Sequence, residues 1–310
     1  MNAPEVVEKL RGFAITLRPV VSMTAVPWAA GMAILASALY GDFQSPMFSD
    51  SEFYLKLFLI VIATFLGVAG GYALNDYFDY EVDRSNRARK DKAANHGIGR
   101  GMLLTYALIL GVPSMSLWFY LSYRSLAVAF VLFLCVLAYS AWGKRNTPLS
   151  NLFIVAAVAL TPIAIFYVYT SQLTLAAVLL GVVNLFFEPG FTWSGVCRDV
   201  EGDKKLRIPT MPLRYGIPST SKMVLVSWLF VIPPSLALFL FTNLGTIYLI
   251  GSTVAGLWLV ALAVRFVRKP TPPIGGSTFL NATLWLWVFS LALILDVVFL
   301  FGLKSSISLT

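Results

Sequence analysis

Nine apolar stretches divide the chain, at about residues 19–40, 53–75, 102–121, 125–142, 151–170, 173–197, 222–242, 246–267 and 279–301, with polar residues gathered between them. Most are close to the twenty or so residues that an α-helix needs to cross the hydrocarbon core of a bilayer. The pattern predicts an all-α, polytopic membrane protein of nine transmembrane helices. Several stretches contain proline, at Pro27, Pro113, Pro162, Pro189 and the Pro233-Pro234 pair. Membrane helices tolerate proline when neighbours satisfy the freed backbone groups, so kinks are expected there and not breaks.

Composition strengthens this reading. Of 310 residues 58% are hydrophobic and 12% charged, with a mean hydropathy of +0.78, too little polar surface for a water-soluble globule. The net charge of +8 raises the question of nucleic acid. The bases lie between apolar runs and form no continuous stripe, however, so topology explains them and no nucleic-acid partner is expected. With alternating spans, 20 of the 23 Lys and Arg fall on one side, against Arg124 and Lys304 on the other, Lys56 being within the second stretch. This places the N-terminus and the polar loops 76–101 and 198–221 on the cytoplasmic face and the C-terminus outside. The opening MNAPEVVEKLRGF has two glutamates and no apolar core, unlike a cleavable signal peptide. Cys135 and Cys197 read as packing residues. No stretch reads as a separate soluble domain, so residues 1–310 form one unit.

Two acidic clusters stand out. In NDYFDYEVDR (75–84) Asn75, Asp79 and Asp83 recur every four residues and share one helical stripe, with Asp76 and Glu81 outside it. Carboxylates at the end of a membrane helix repel one another and are costly to desolvate, so a cation or a basic partner is implied. In CRDVEGDKK, Asp199 and Asp203 repeat the spacing four stretches later. Two related four-helix units plus a ninth helix would account for that interval. Facing carboxylate pairs suit Mg²⁺, which takes oxygen ligands and completes its shell with water and phosphate oxygens. Arg84, Arg87, Lys144, Arg145, Arg198, Lys204, Lys205 and Arg207 share that face, enough to neutralise a diphosphate.

The clusters resemble the NxxxDxxxD and DxxxD motifs of the UbiA superfamily of intramembrane prenyltransferases. DVEGDKKLRIPTMPLRYG (199–216) is similar to the family's DxEGDxxxGxxTLPxxxG stretch, AYSAWGKRNTPLSN (138–151) to its tyrosine-bearing helix end and Lys-Arg loop, and LRP (17–19) also fits. The resemblance covers the whole chain. It implies nine helices around a central cavity under a polar cytoplasmic cap, and a Mg²⁺-dependent transferase, with two ions, acting on a prenyl diphosphate and a lipophilic acceptor among membrane lipid. By the same resemblance Asn75, Asp79, Asp83, Asp199 and Asp203 would bind metal. Asn75, Lys144, Arg145, Lys204 and Arg87 would bind diphosphate, and Tyr139 would lie by the allylic carbon. One departure is NHGIGRG (95–101) in place of the family's NRPIPSG, which suggests a more mobile cap; His96 reads as a plain loop residue.

An allylic cation needs neighbours that stabilise charge without reacting. Tyr139, Phe186, Phe187, Phe191 and Trp193 are candidates, though core packing is the commoner use of such residues. Two other functions compete with prenyl transfer. One is a terpene cyclase, in which the prenyl cation closes on itself. The other is a cation transporter, which would need a charge relay across the bilayer. Only Asp296, towards the outer end of the last stretch, offers a charge there, and a structural hydrogen-bonding role is expected for it. The acceptor and prenyl length stay open, with a lean toward the lipid-ether and chlorophyll branches of the superfamily.

Overall fold

The computed structural model describes residues 3–42, 47–85 and 92–307. Its principal helices are α1 (Ala3–Thr16), α2 (Ala25–Tyr40), α3 (Ser51–Ser85), α4 (Arg100–Leu121), α5 (Tyr123–Ala138), α6 (Asn151–Phe166), α7 (Leu175–Arg198), α8 (Ile217–Leu229), α9 (Ile232–Phe241), α10 (Thr246–Arg268) and α11 (Pro272–Ile307). No strand occurs among the described residues. By length and composition, seven helical segments can cross a membrane, α8 and α9 together forming one of them. The apolar helices α2 and α6 are shorter, with 16 residues each.

Burial explains the arrangement. Helix α2 is apolar on every side and buries Trp28, Ala29, Gly31, Met32 and residues 33–37, as expected of a helix enclosed by others. It packs against α3, α6 and α11. Helix α7 is the most enclosed of the long helices and packs on α6, α8 and α11. Outward faces carry exposed apolar side chains such as Ile109, Phe119, Leu240 and Ile250, the surface a lipid solvent accepts. Phe187 stacks on Trp285, with ring centroids 4.3 Å apart, and Phe191 on Phe279 at 4.4 Å. Phe186 stacks on Phe230 at 5.3 Å, so these aromatics serve helix packing.

The prolines behave in two ways. Helices α4, α6 and α7 continue through Pro113, Pro162 and Pro189. Next to Pro189, the carbonyls of Phe186 and Phe187 accept hydrogen bonds from Ser227 Oγ (2.6 Å) and Trp228 Nε1 (3.0 Å) on α8, cross-helix bonds in the turn that the proline ring disturbs. A Cβ at Gly190 would lie 2.2 Å from that indole nitrogen, so only glycine admits the approach. At Pro233-Pro234 the helix does break, ending at Leu229 and resuming at Ile232. Two successive residues there lack an N–H, and both rings press on the preceding turn.

Asp296 is 1% exposed. Its carboxylate accepts from the backbone N–H of Gly245 (2.6 Å) and of Tyr248 (3.0 Å), capping the positive end of α10. This is the structural role expected of it. Asp296→Ala should remove two charge-assisted hydrogen bonds, about 3 kcal/mol together, and lower the thermal midpoint in detergent without changing catalytic constants in the remaining folded protein.

Candidate active site

Helix α3 is 35 residues long. At 1.5 Å per residue it extends roughly 50 Å, well beyond a hydrocarbon core of about 30 Å, so its acidic C-terminal turns remain helical past the apolar run. Asn75 Nδ2 donates to Asp79 Oδ2 at 3.2 Å, the i, i+4 contact that the sequence spacing predicts. Asp76, Asp79 and Asp83 are only 3–5% exposed. Carboxylates so withdrawn from water need cations, and four residues from other segments supply them.

Lys144 Nζ and Arg145 Nη2 both bind Asp79, the arginine at 3.2 Å. The same Arg145 nitrogen donates to the Phe78 carbonyl at 2.6 Å, and Nη1 to the Ser140 carbonyl at 3.3 Å. Between α5 and these bases the chain makes one π-helical turn, Tyr139–Gly143. The wider turn redirects the helix end so that Lys144 and Arg145 reach α3, a deformation often found at functional sites. Tyr139 acts electrostatically on Lys144, Arg18 and Tyr72. It therefore lies near this group.

Two bases and one acid in the site went unrecognised in the sequence. Asp76 belongs to the cluster: it is seven residues from Asp83, within about 20° on a helix. Lys92 Nζ bridges the two, 3.6 Å from Asp76 and 3.2 Å from Asp83. An i, i+7 search would have found Asp76, whereas an i, i+4 search excludes it. Arg18 Nη2 donates to Asp76 Oδ1 at 3.2 Å, and its guanidinium lies 4.4 Å from the centre of the Tyr72 ring. Arg18 has φ +46°, in the left-handed region, immediately before Pro19. Strain of that kind persists only where surroundings enforce it. Burial works against the Arg18 charge, but Asp76, Tyr72 and Tyr139 outweigh it and raise its pKa. In the sequence Lys92 counted only as a topology signal, and Arg18 as one that also falls within the LRP match, with no site role attached.

His96 also departs from expectation. It is buried, and its Nδ1 lies 2.5 Å from Glu8 Oε1 on α1. Gly97 takes φ +73°, where a β-carbon is disfavoured, and a Cβ at Gly12 would lie 2.8 Å from Ile98. The NHGIGRG departure thus forms a seat for α1. Asn95 Nδ2 ties it to the Asp83 carbonyl at 3.3 Å.

The second cluster is organised differently. Helix α7 ends at Arg198, and a short helical turn, Val200–Lys205, follows. Arg198 binds Asp199 through two parallel bonds of 2.8 Å, and that carboxylate is 35% exposed. The Asp203 N–H donates to the Asp199 carbonyl at 3.0 Å. Lys204 is exposed and makes no ion pair among the described residues, and Arg87 lies outside the described residues. Cys135 and Cys197 are free thiols.

Asn75 Oδ1 is buried and has no hydrogen-bond donor, an orphaned oxygen one turn before the Asp79 carboxylate that the same side chain contacts. Oxygen donors of this kind fit a hard divalent cation. Among the described residues, however, no three or more acidic, His or Cys side chains already surround one point. A metal there would need further ligands from water or substrate.

Long apolar helices joined to a buried ionic site define an integral, multi-pass membrane enzyme. The chain belongs to the UbiA prenyltransferase family, whose model matches residues 25–289, and it is a transferase of prenyl groups. It is 26% identical to a protoheme IX farnesyltransferase of Korarchaeum cryptofilum over 69% of this chain and 74% of the relative. Identity is 28% with a digeranylgeranylglyceryl phosphate synthase of Thermococcus sibiricus, over 76% and 83%. Among solved structures, a UbiA homolog from Aeropyrum pernix K1 superposes with a TM-score of 0.73 at 15% identity, covering 89% of this chain and 97% of the other. A UbiA homolog from Archaeoglobus fulgidus bound to GPP and Mg2+ gives 0.61 at 15% identity, with 91% and 99% covered. These two likenesses establish the fold.

Proposed function

We propose that the protein moves an isoprenyl group from a prenyl diphosphate to a lipophilic acceptor inside the membrane, with Mg²⁺ and release of diphosphate. The observation that carries this reading is the set of three buried carboxylates at the end of a membrane-length helix, matched by Arg18, Lys92, Lys144 and Arg145. A diphosphate arriving with its own cations can exchange partners with both sets. The bases would then pair with its oxygens, while Asn75, Asp79 and Asp83 would hold one metal ion and Asp199 and Asp203 another. Bound Mg²⁺ neutralises the leaving group. Lys144 and Arg145 hydrogen-bond the departing oxygens, with Lys204 and Arg87 as further candidates, and these contacts strengthen where water is excluded. The allylic C–O bond breaks with its electron pair on the diphosphate, and the Tyr139 ring faces the cationic carbon.

The same reading takes α2 and α6 as spans completing nine, with the N-terminus and the ionic site cytoplasmic, the C-terminus outside and the prenyl tail between the helices. The test is a mass-spectrometric product screen. Farnesyl and geranylgeranyl diphosphate are offered with Mg²⁺ and a panel including protoheme IX and geranylgeranylglyceryl phosphate. Mg²⁺-dependent diphosphate release with a prenylated acceptor supports transfer, and release with only cyclic hydrocarbon supports cyclisation. Mg²⁺ flux in liposomes without any release would overturn both.

A further inference from the structure

Glu188 sits near the middle of α7, directly before Pro189, and is 8% exposed. Among the described residues its carboxylate makes no ion pair or hydrogen bond. The polar side chains one turn away are occupied: Asn184 Nδ2 donates to the Val158 carbonyl at 2.9 Å, and Thr192 Oγ1 donates to the Glu188 backbone carbonyl at 3.0 Å. An intramembrane carboxylate with no cation beside it is costly and is usually functional. Its electrostatic influence falls on Tyr72 of α3, which Tyr139 also influences. Glu188, on the helix of the second acidic motif, is thus within electrostatic reach of Tyr72, whose ring carries the Arg18 guanidinium that pairs with Asp76.

Depth along the helices assigns it a place. Tyr72 is seven residues before Asp79, about 10 Å into the membrane, and Glu188 is eleven before Asp199, about 16 Å, at 1.5 Å per residue. That is below the ionic site, where the head of a prenyl chain and the reacting end of an acceptor would meet. We propose that Glu188 accepts the proton lost by the acceptor as the new bond forms, which rests on the prenyl-transfer reading above. The allylic C–O bond breaks with its electrons on diphosphate. An acceptor π or lone pair bonds to the allylic carbon, and the displaced C–H or O–H proton passes to the Glu188 carboxylate, to leave with the next exchange of product. Desolvation makes a carboxylate a stronger proton acceptor.

The test uses the full chain in liposomes with Mg²⁺, farnesyl and geranylgeranyl diphosphate, and protoheme IX and geranylgeranylglyceryl phosphate together as acceptor probes. Diphosphate, prenylated acceptor, linear or cyclic hydrocarbon and free prenyl alcohol are each measured. Glu188→Gln keeps the size of the side chain. It should leave diphosphate release within about threefold, since the leaving-group machinery is elsewhere. Prenylated acceptor and hydrocarbon should fall relative to prenyl alcohol by roughly 100-fold, the ordinary size of a general-base contribution, and Glu188→Asp should recover part of the ratio. An unchanged product ratio in Glu188→Gln would overturn the proposal. So would a fall in release and transfer together, or an unaltered protein that makes only prenyl alcohol. If the unaltered protein releases no diphosphate, the prenyl-transfer reading itself fails.

Discussion

Asp79→Asn should reduce Mg²⁺-dependent diphosphate release by a factor of about 10²–10³, the usual result of removing one preorganised electrostatic group. Asp79 is the hub of the ionic site, since Asn75, Lys144 and Arg145 all converge on it. The amide conserves shape but removes the charge that holds the two bases in place and, in the proposed reaction, a metal ligand. Two effects therefore coincide. Turnover is lost, and the fold weakens because two cations lose their counter-charge. For a fully buried pair that second cost is about 3–5 kcal/mol. The Lys144 and Arg145 side chains are 22% and 38% exposed, and solvent screening reduces it to roughly 2 kcal/mol. Release assays and thermal unfolding in detergent, followed through the 8 tryptophans, measure both. Near-normal release would remove Asp79 from the metal and diphosphate site.

Asp199→Ala should lose diphosphate release just as severely while leaving the thermal midpoint unchanged. Its carboxylate is 35% exposed and is bound by the adjacent Arg198. An ion pair so open to water contributes little to stability. Equal activity loss with unequal stability loss would separate two carboxylates that look alike as sequence: one embedded in the fold, the other available for a ligand. Unimpaired turnover in Asp199→Ala would confine the chemistry to the α3 end.

How much was legible beforehand depended on whether a feature is local. The i, i+4 stripe of Asn75, Asp79 and Asp83 is set by helical periodicity alone, and the structure reproduces it. The need for basic partners follows equally directly from the cost of desolvating charge. Which bases would answer was not legible. Lys144 and Arg145 came through resemblance, whereas Arg18 stood in the matching LRP stretch without a role and Lys92 looked like any other positive residue beside an apolar run. Asp76 was set aside because a four-residue step excludes it, although it is nearly in line with Asp83. His96 looked like a loop residue because its partner, Glu8, is 88 positions away.

The sequence by itself determined an all-helical membrane protein and the acidic stripe at the end of α3, because apolar length and helical repeat act over a few turns of one segment. Tertiary structure alone decided that Lys92 joins Asp76 to Asp83, that Arg18 is held in a left-handed conformation, that Asp296 caps α10 and that Glu188 stays without a cation. Each of these depends on how helices distant in sequence pack around one another, and in a low-dielectric interior that packing decides which charges are neutralised and which remain free to react.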